Sequence, residues 1–201
     1  MTDVSHYLGL LDDKSSLSHW GTITWVSGLE PETALDILGG NADSELSLSF
    51  EDCHSAAAKD FRLRGYFGSE ILLDKAGPWL LCIEPFGDGG SMTDTLLALS
   101  KKGTAFSLLS HPSGFHTFSY AADGEALVVI RRIGEPWVEG PISLEEIVGD
   151  LPLLDGDSEP VTWAANALAL AEGRTGFRLT AEWLDAEHPC FVGTPRPGAP
   201  A

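Results

Sequence analysis

The chain has 201 residues, 43% of them apolar, which suits one domain able to bury roughly 70% of its unfolded surface without a metal or disulfide staple. Thirty acidic residues stand against twelve basic ones, a net charge of −18, and such a field disfavours nucleic acid and anionic lipid, both of which are held through Lys and Arg. No apolar run approaches the ~18 residues of a membrane helix, and a start that lacks basic residues and reaches Asp12 and Asp13 does not read as a signal peptide.

Residues 4–11 suggest a short helix within a first segment, 1–18, that is expected to be loosely attached. Thr22-Ile23-Thr24-Trp25-Val26 is β-branched and aromatic and predicts a strand ended by Gly28. Pro31 then opens a helix to about Leu38, where Gly39-Gly40 stops it. Leu46, Leu48 and Phe50 alternate with polar residues like a half-buried strand, and 53–61 is a candidate helix through Ala56-Ala57-Ala58.

The middle predicts antiparallel strands at 70–73, 78–83, 104–109, 115–120 and 126–130, the last pair joined by an Asp123-Gly124 turn, with a helix over 92–100. Residues 134–141 read as a loop and Ser143 as the cap of a short helix. After a connector at 151–160 comes the clearest helix, 161–172, with Trp163, Leu168 and Leu170 on its apolar stripe and Gly173 after it. Thr180 caps a last short helix, and 193–201 is expected to be a disordered Pro/Gly tail. Residues 1–192 therefore form a single α+β domain: a central meandering antiparallel sheet with N- and C-terminal helices packed on one face.

The best candidate site is the stretch Glu84-Pro85-Phe86-Gly87-Asp88-Gly89-Gly90-Ser91, between a strand and a helix. Glycines there let backbone amides turn toward a ligand, so Glu84, Asp88, Gly89, Gly90 and Ser91 are the ligand-binding candidates. Met92 stands where a dinucleotide fingerprint needs its third glycine, and no P-loop Lys is present. The competing structural reading puts Gly89 or Gly90 there for a positive φ.

Trp137, ringed by Glu135 and Glu139, is a candidate partner anchor. Trp25, Trp79 and Trp163 are expected in one core. Cys53, Cys82 and Cys190 are odd in number and widely spaced, forming neither a disulfide framework nor a Cys-x-x-Cys pair, as in a reducing, cytoplasmic setting. His188 reads as a surface histidine and Cys190 as a packed thiol. His111, His116 and the His188/Cys190 pair lack further ligands at zinc-like spacing, so no metal or cofactor is expected. Cys53 and His54 are neighbours that cannot face each other on a helix, and no catalytic residues are marked out.

Four stretches, 22–40 (TITWVSGLEPETALDILGG), 79–91 (WLLCIEPFGDGGS), 115–125 (FHTFSYAADGE) and 167–184 (ALALAEGRTGFRLTAEWL), resemble in order a family of short, mostly actinobacterial proteins catalogued only as a domain of unknown function. The resemblance implies one compact domain and no particular chemistry.

Charge carries the functional expectation. Residues 1–60 hold eleven acids and two bases, 61–134 seven of each, and 135–201 twelve acids and three bases, so two ends of −9 flank a neutral middle. This suits a non-catalytic acidic interaction protein, such as an immunity or antitoxin-type inhibitor of a basic protein partner. The alternative is a small-ligand-binding or enzymatic domain using the Glu84–Ser91 loop. The neighbouring genes discriminate between the two.

Overall fold

The uncharged run around Trp25 is buried on both faces because it becomes the interior of a sheet. The structure, a computed structural model, describes residues 3–64, 70–140, 142–148 and 158–193. Strand β1 (Gly21–Ser27) lies antiparallel between β4 (Trp79–Pro85) and β5 (Thr104–Ser110), with Trp25 opposite Leu81 and Phe106. With β2 (Gly40–Leu48), β3 (Glu70–Ala76), β6 (Thr117–Ala122), β7 (Ala126–Arg131), β8 (Trp137–Glu139) and β9 (His188–Gly193) it makes a nine-stranded antiparallel sheet. The order is β2-β9-β3-β4-β1-β5-β6-β7-β8.

The meander holds for β3–β4 and for β5 through β8, and it is interrupted where β1 and β9 are inserted from distant sequence. The β6–β7 turn places Asp123 at φ 54° and Gly124 at φ 73°, the left-handed pair that a tight hairpin requires.

Period-two alternation sends Ile23, Trp25, Leu81, Ile83, Phe106, Leu108 and Phe118 to one face of the sheet. There they meet α1 (Val4–Asp13), α3 (Phe50–Arg64), α6 (Pro160–Thr175) and α7 (Ala181–Asp185). Trp25 and Trp163 are fully buried in this layer, and the half-buried Trp79 packs against it. Val26, Leu80, Cys82, Ala105 and Leu127 point the other way, under α2 (Pro31–Leu38) and α4 (Thr93–Leu99). Helices from both chain ends thus share one face as expected, and α2 and α4 cover the other. The remaining helix, α5 (Leu144–Val148), opens with a capping box: Ser143 Oγ accepts from Glu146 N at 3.1 Å while Ser143 N donates to Glu146 Oε2 at 3.0 Å.

Several expectations are corrected. The first segment is not loosely attached: Asp3 caps α1, Tyr7, Leu10 and Leu11 are buried in the main core, and His6 Nε2 lies 2.8 Å from Leu179 O. Residues 134–141 are not simply a loop, since β8 pairs with β7. Helix α6 runs through Gly173 and stops at Gly176, whose φ of 70° ends it. It is buried almost all round from Trp163 to Ala171, and its alanines let the surrounding layers approach closely. Gly193, expected in the tail, ends β9, and 194–201 lie outside the described residues, as does most of the 151–160 connector. Among the described residues, no helix is long and apolar enough to cross a membrane.

Candidate functional site

The Glu84–Ser91 loop leaves the end of β4 and closes over β1. Glu84 is only 3% exposed. Its Oε2 accepts the Gly90 amide at 2.6 Å, while Ser91 N donates to Asp88 O at 3.0 Å and Met92 N to Gly89 O at 3.2 Å. Thr22 Oγ1 donates to Gly87 O at 2.8 Å, and Phe86 N to Trp20 O at 2.7 Å. The structure therefore brings Glu84 and Gly90 together, leaves Asp88 exposed, and has Ser91 Oγ donating back to Asp88 O at 2.7 Å. The amides of Gly90 and Ser91 bond inside the turn rather than converging on an opening.

The glycine reading is also corrected. Neither Gly89 nor Gly90 has a positive φ. Gly90 is needed for space: a Cβ there would lie 2.1 Å from Thr24 Oγ1 and 3.0 Å from Glu84 Oε2. The left-handed residue in the loop is Phe86, at φ 56°, an uncommon conformation for so bulky a side chain.

Phe86 belongs to a cluster that sequence reasoning missed. Its ring stacks on Phe61 at 5.6 Å, with planes 17° apart, and lies 5.1 Å from the His54 ring. Trp20 adds a wall, 5.9 Å from Phe61 and 4.7 Å from His111. His54 Nε2 is buried with no hydrogen-bond partner, and burial pushes its pKa down against the pull of Glu51. Beside it, His54, Ala58 and Arg62, and Ser55, Lys59 and Leu63, recur at four-residue spacing and line a groove along α3. These residues come from four separate stretches, so no local motif could announce them.

Asp74 and His188 form the arrangement most like a catalytic dyad. His188 Nδ1 is 2.7 Å from Asp74 Oδ2, and Nε2 is 2.7 Å from Trp183 O. Both ring nitrogens thus face oxygen atoms of the protein itself, and neither points into open space toward a substrate. The ring stacks on Trp183 at 3.9 Å and is buried, which corrects the reading of His188 as a surface residue. The dyad clamps α7 and β9 to β3. His111 and His116 do not act together: His111 Nδ1 meets Ser113 Oγ in its own turn at 2.7 Å, while His116 is buried against Trp163. Among the described residues no group of three or more His, Cys, Asp or Glu could hold a metal ion.

Trp137 is 43% exposed on β8, at one edge of the sheet. The other edge is β2, which pairs with β9 and has a bulge between Asn41 and Leu46. Asp43 and Glu45 are exposed on the bulge, Glu187 is held there by Ser47 Oγ donating at 2.9 Å, and Glu182 and Asp185 are exposed on α7. The two acidic ends of the chain, 140 residues apart at Ser47 and Glu187, thus share one edge.

No curated protein and no solved structure matches this chain. Residues 5–192, nearly all of the fold described above, match the model of a family of unknown function, DUF6461, and the chain belongs to that family.

Proposed function

We propose that this chain is a non-catalytic interaction protein that holds a basic protein partner, as an immunity or antitoxin-type inhibitor does, along its β2–β9 edge. The supporting observation is the pairing of β2 with β9, which merges two segments of like charge into one surface carrying Asp43, Glu45 and Glu187. An edge strand offers unpaired backbone groups for strand addition, and the exposed Leu46 and Val192 supply apolar contact. Acids around such an edge also keep it from pairing with the wrong strand.

The test is association with basic proteins encoded by neighbouring genes, followed in a salt series. The on-rate should fall about tenfold or more as salt rises, because exposed charges are screened beyond ~10 Å at 0.1 M. The triple reversal D43K/E45K/E187K should slow it similarly. A tight complex whose on-rate ignores both salt and the reversals overturns the reading.

A small-ligand domain is the second reading, and one observation favours it. Phe86 is held at positive φ, stacked on Phe61 beside a His54 nitrogen that has no partner. Backbone strain of this kind concentrates where ligands are held. The ligand would then meet the aromatic face of the loop rather than the amides of Gly89, Gly90 and Ser91. A compound that raises the melting temperature of the wild type and not of His54→Ala would establish it; one that stabilises both equally would not.

A further inference from the structure

Three cysteines scattered along the chain end up unequally placed. Cys53 lies on the buried side of α3 and Cys190 on the side of β9 that faces it, both in the main core. Their sulfurs are 3.2 Å apart. Cys82 is also buried, but it belongs to the core on the opposite face of the sheet. A disulfide needs the sulfurs at ~2.05 Å, so the pair has only ~1.1 Å to close, within reach of a small side-chain rotation.

We propose that Cys53 and Cys190 are a peroxide-sensitive dithiol that closes to a disulfide, stapling α3 to β9. The two sulfurs have different surroundings. The hydrogen bond with the Cys53 thiol first, and the Ile71 backbone N–H after it, favour the thiolate at Cys190 against burial and the charge of Glu70, whereas the bond to Cys190 and then burial hold Cys53 protonated. Cys190 is therefore the attacking sulfur. Its thiolate attacks one oxygen of hydrogen peroxide, the O–O bond breaks, and hydroxide leaves as water after taking a proton, giving a sulfenic acid. Cys53 then loses its proton and attacks that sulfur, the S–O bond breaks, and a second water leaves. Two thiols are oxidised and one peroxide is reduced. Both sulfurs are covered, so a water-sized oxidant must enter through local opening of α3, and the reaction is slow compared with that of an exposed thiol.

Folded wild-type protein treated with hydrogen peroxide should lose about 2 Da, the two thiol hydrogens, reversibly with reductant. Thiols titrated after denaturation should fall from the three free cysteines to one, and a non-reducing digest should join the peptides that contain Cys53 and Cys190. Cys82→Ala should keep the mass loss. Cys53→Ala should leave a sulfenic acid on Cys190 that dimedone traps, whereas Cys190→Ala should leave Cys53 unlabelled. Met92, 49% exposed, is the internal clock. If Met92 is converted to its sulfoxide while all three thiols survive, or if the cross-link includes Cys82, the proposal is wrong. The wild-type measurement decides even if a cysteine variant fails to fold.

Discussion

The imidazole of His116 lies parallel to the indole of Trp163, with centroids 6.0 Å and planes 12° apart. Both rings are buried, and neither nitrogen of His116 has a hydrogen-bond partner among the described residues. Burial foremost, then the charge of Arg132 and the proximity of His111, pushes its pKa down to about 4.

The histidine is neutral in the fold and protonates near pH 6.5 once the chain unfolds, so between those values the unfolded state binds more protons. Stability should therefore be full above pH 6.5 and fall as pH drops toward 4, by up to about 3 kcal/mol from this residue. His116→Phe keeps a planar ring against Trp163 and cannot take a proton. Urea unfolding at pH 7.5 and 4.5 should show the wild type losing about 2–3 kcal/mol more than this variant. Equal losses would show that His116 is not held neutral by its site.

Gly90→Ala should destabilise the fold by about 1–3 kcal/mol, the usual cost of overpacking, because its Cβ would press on Thr24 Oγ1. Removing that hydroxyl should recover part of the loss, so Gly90→Ala should cost less in a Thr24→Ala background. A double-mutant cycle reads the coupling. Strict additivity would mean that the turn relaxes elsewhere and that the close approach is not what requires glycine.

Leu10→Ala should cost about 2–5 kcal/mol, as for any large aliphatic removed from a core. The motivation is that α1 buries Tyr7, Leu10 and Leu11 in the same cluster as α6. A change below about 0.5 kcal/mol, typical of a surface position, would mean that the N-terminal helix detaches readily after all.

Trp163→Ala should cost about 3–5 kcal/mol. Because it also strips the stacking partner from His116, it should weaken the acid sensitivity described above. Denaturation midpoints at two pH values test both effects, and a variant that melts like the wild type would show that α6 does not carry the core.

Much of the fold was legible because local chemistry dictates it. Pro31 and Gly39 bracket α2, Thr180 caps α7 by accepting the Trp183 amide at 3.2 Å, and Asp123-Gly124 can only make a tight turn. Strand β9 leaves no legible mark in the sequence, because Pro189 and a run of only six residues mask its pattern and because burial between β2 and β3 rather than propensity makes it a strand. The Glu84–Ser91 stretch reads as a glycine-rich connection between a strand and a helix, but which residue carries the positive φ depends on what lies beneath it. Thr24 sits under Gly90, and the residue twisted to bring the chain over is Phe86.

By itself the sequence determined the class of the fold, the strand character of the Trp25 segment and the acidity of both ends, since these follow from composition, periodicity and turn residues within short windows. Only the tertiary structure decided that the acidic ends meet at β2 and β9, that Phe86 joins Phe61 and His54, and that Cys190 meets Cys53 while Cys82 lies across the sheet. The physical reason is that strand insertion and helix docking are settled by which apolar faces can be buried together. That is a property of the whole chain, and no window of a dozen residues contains it.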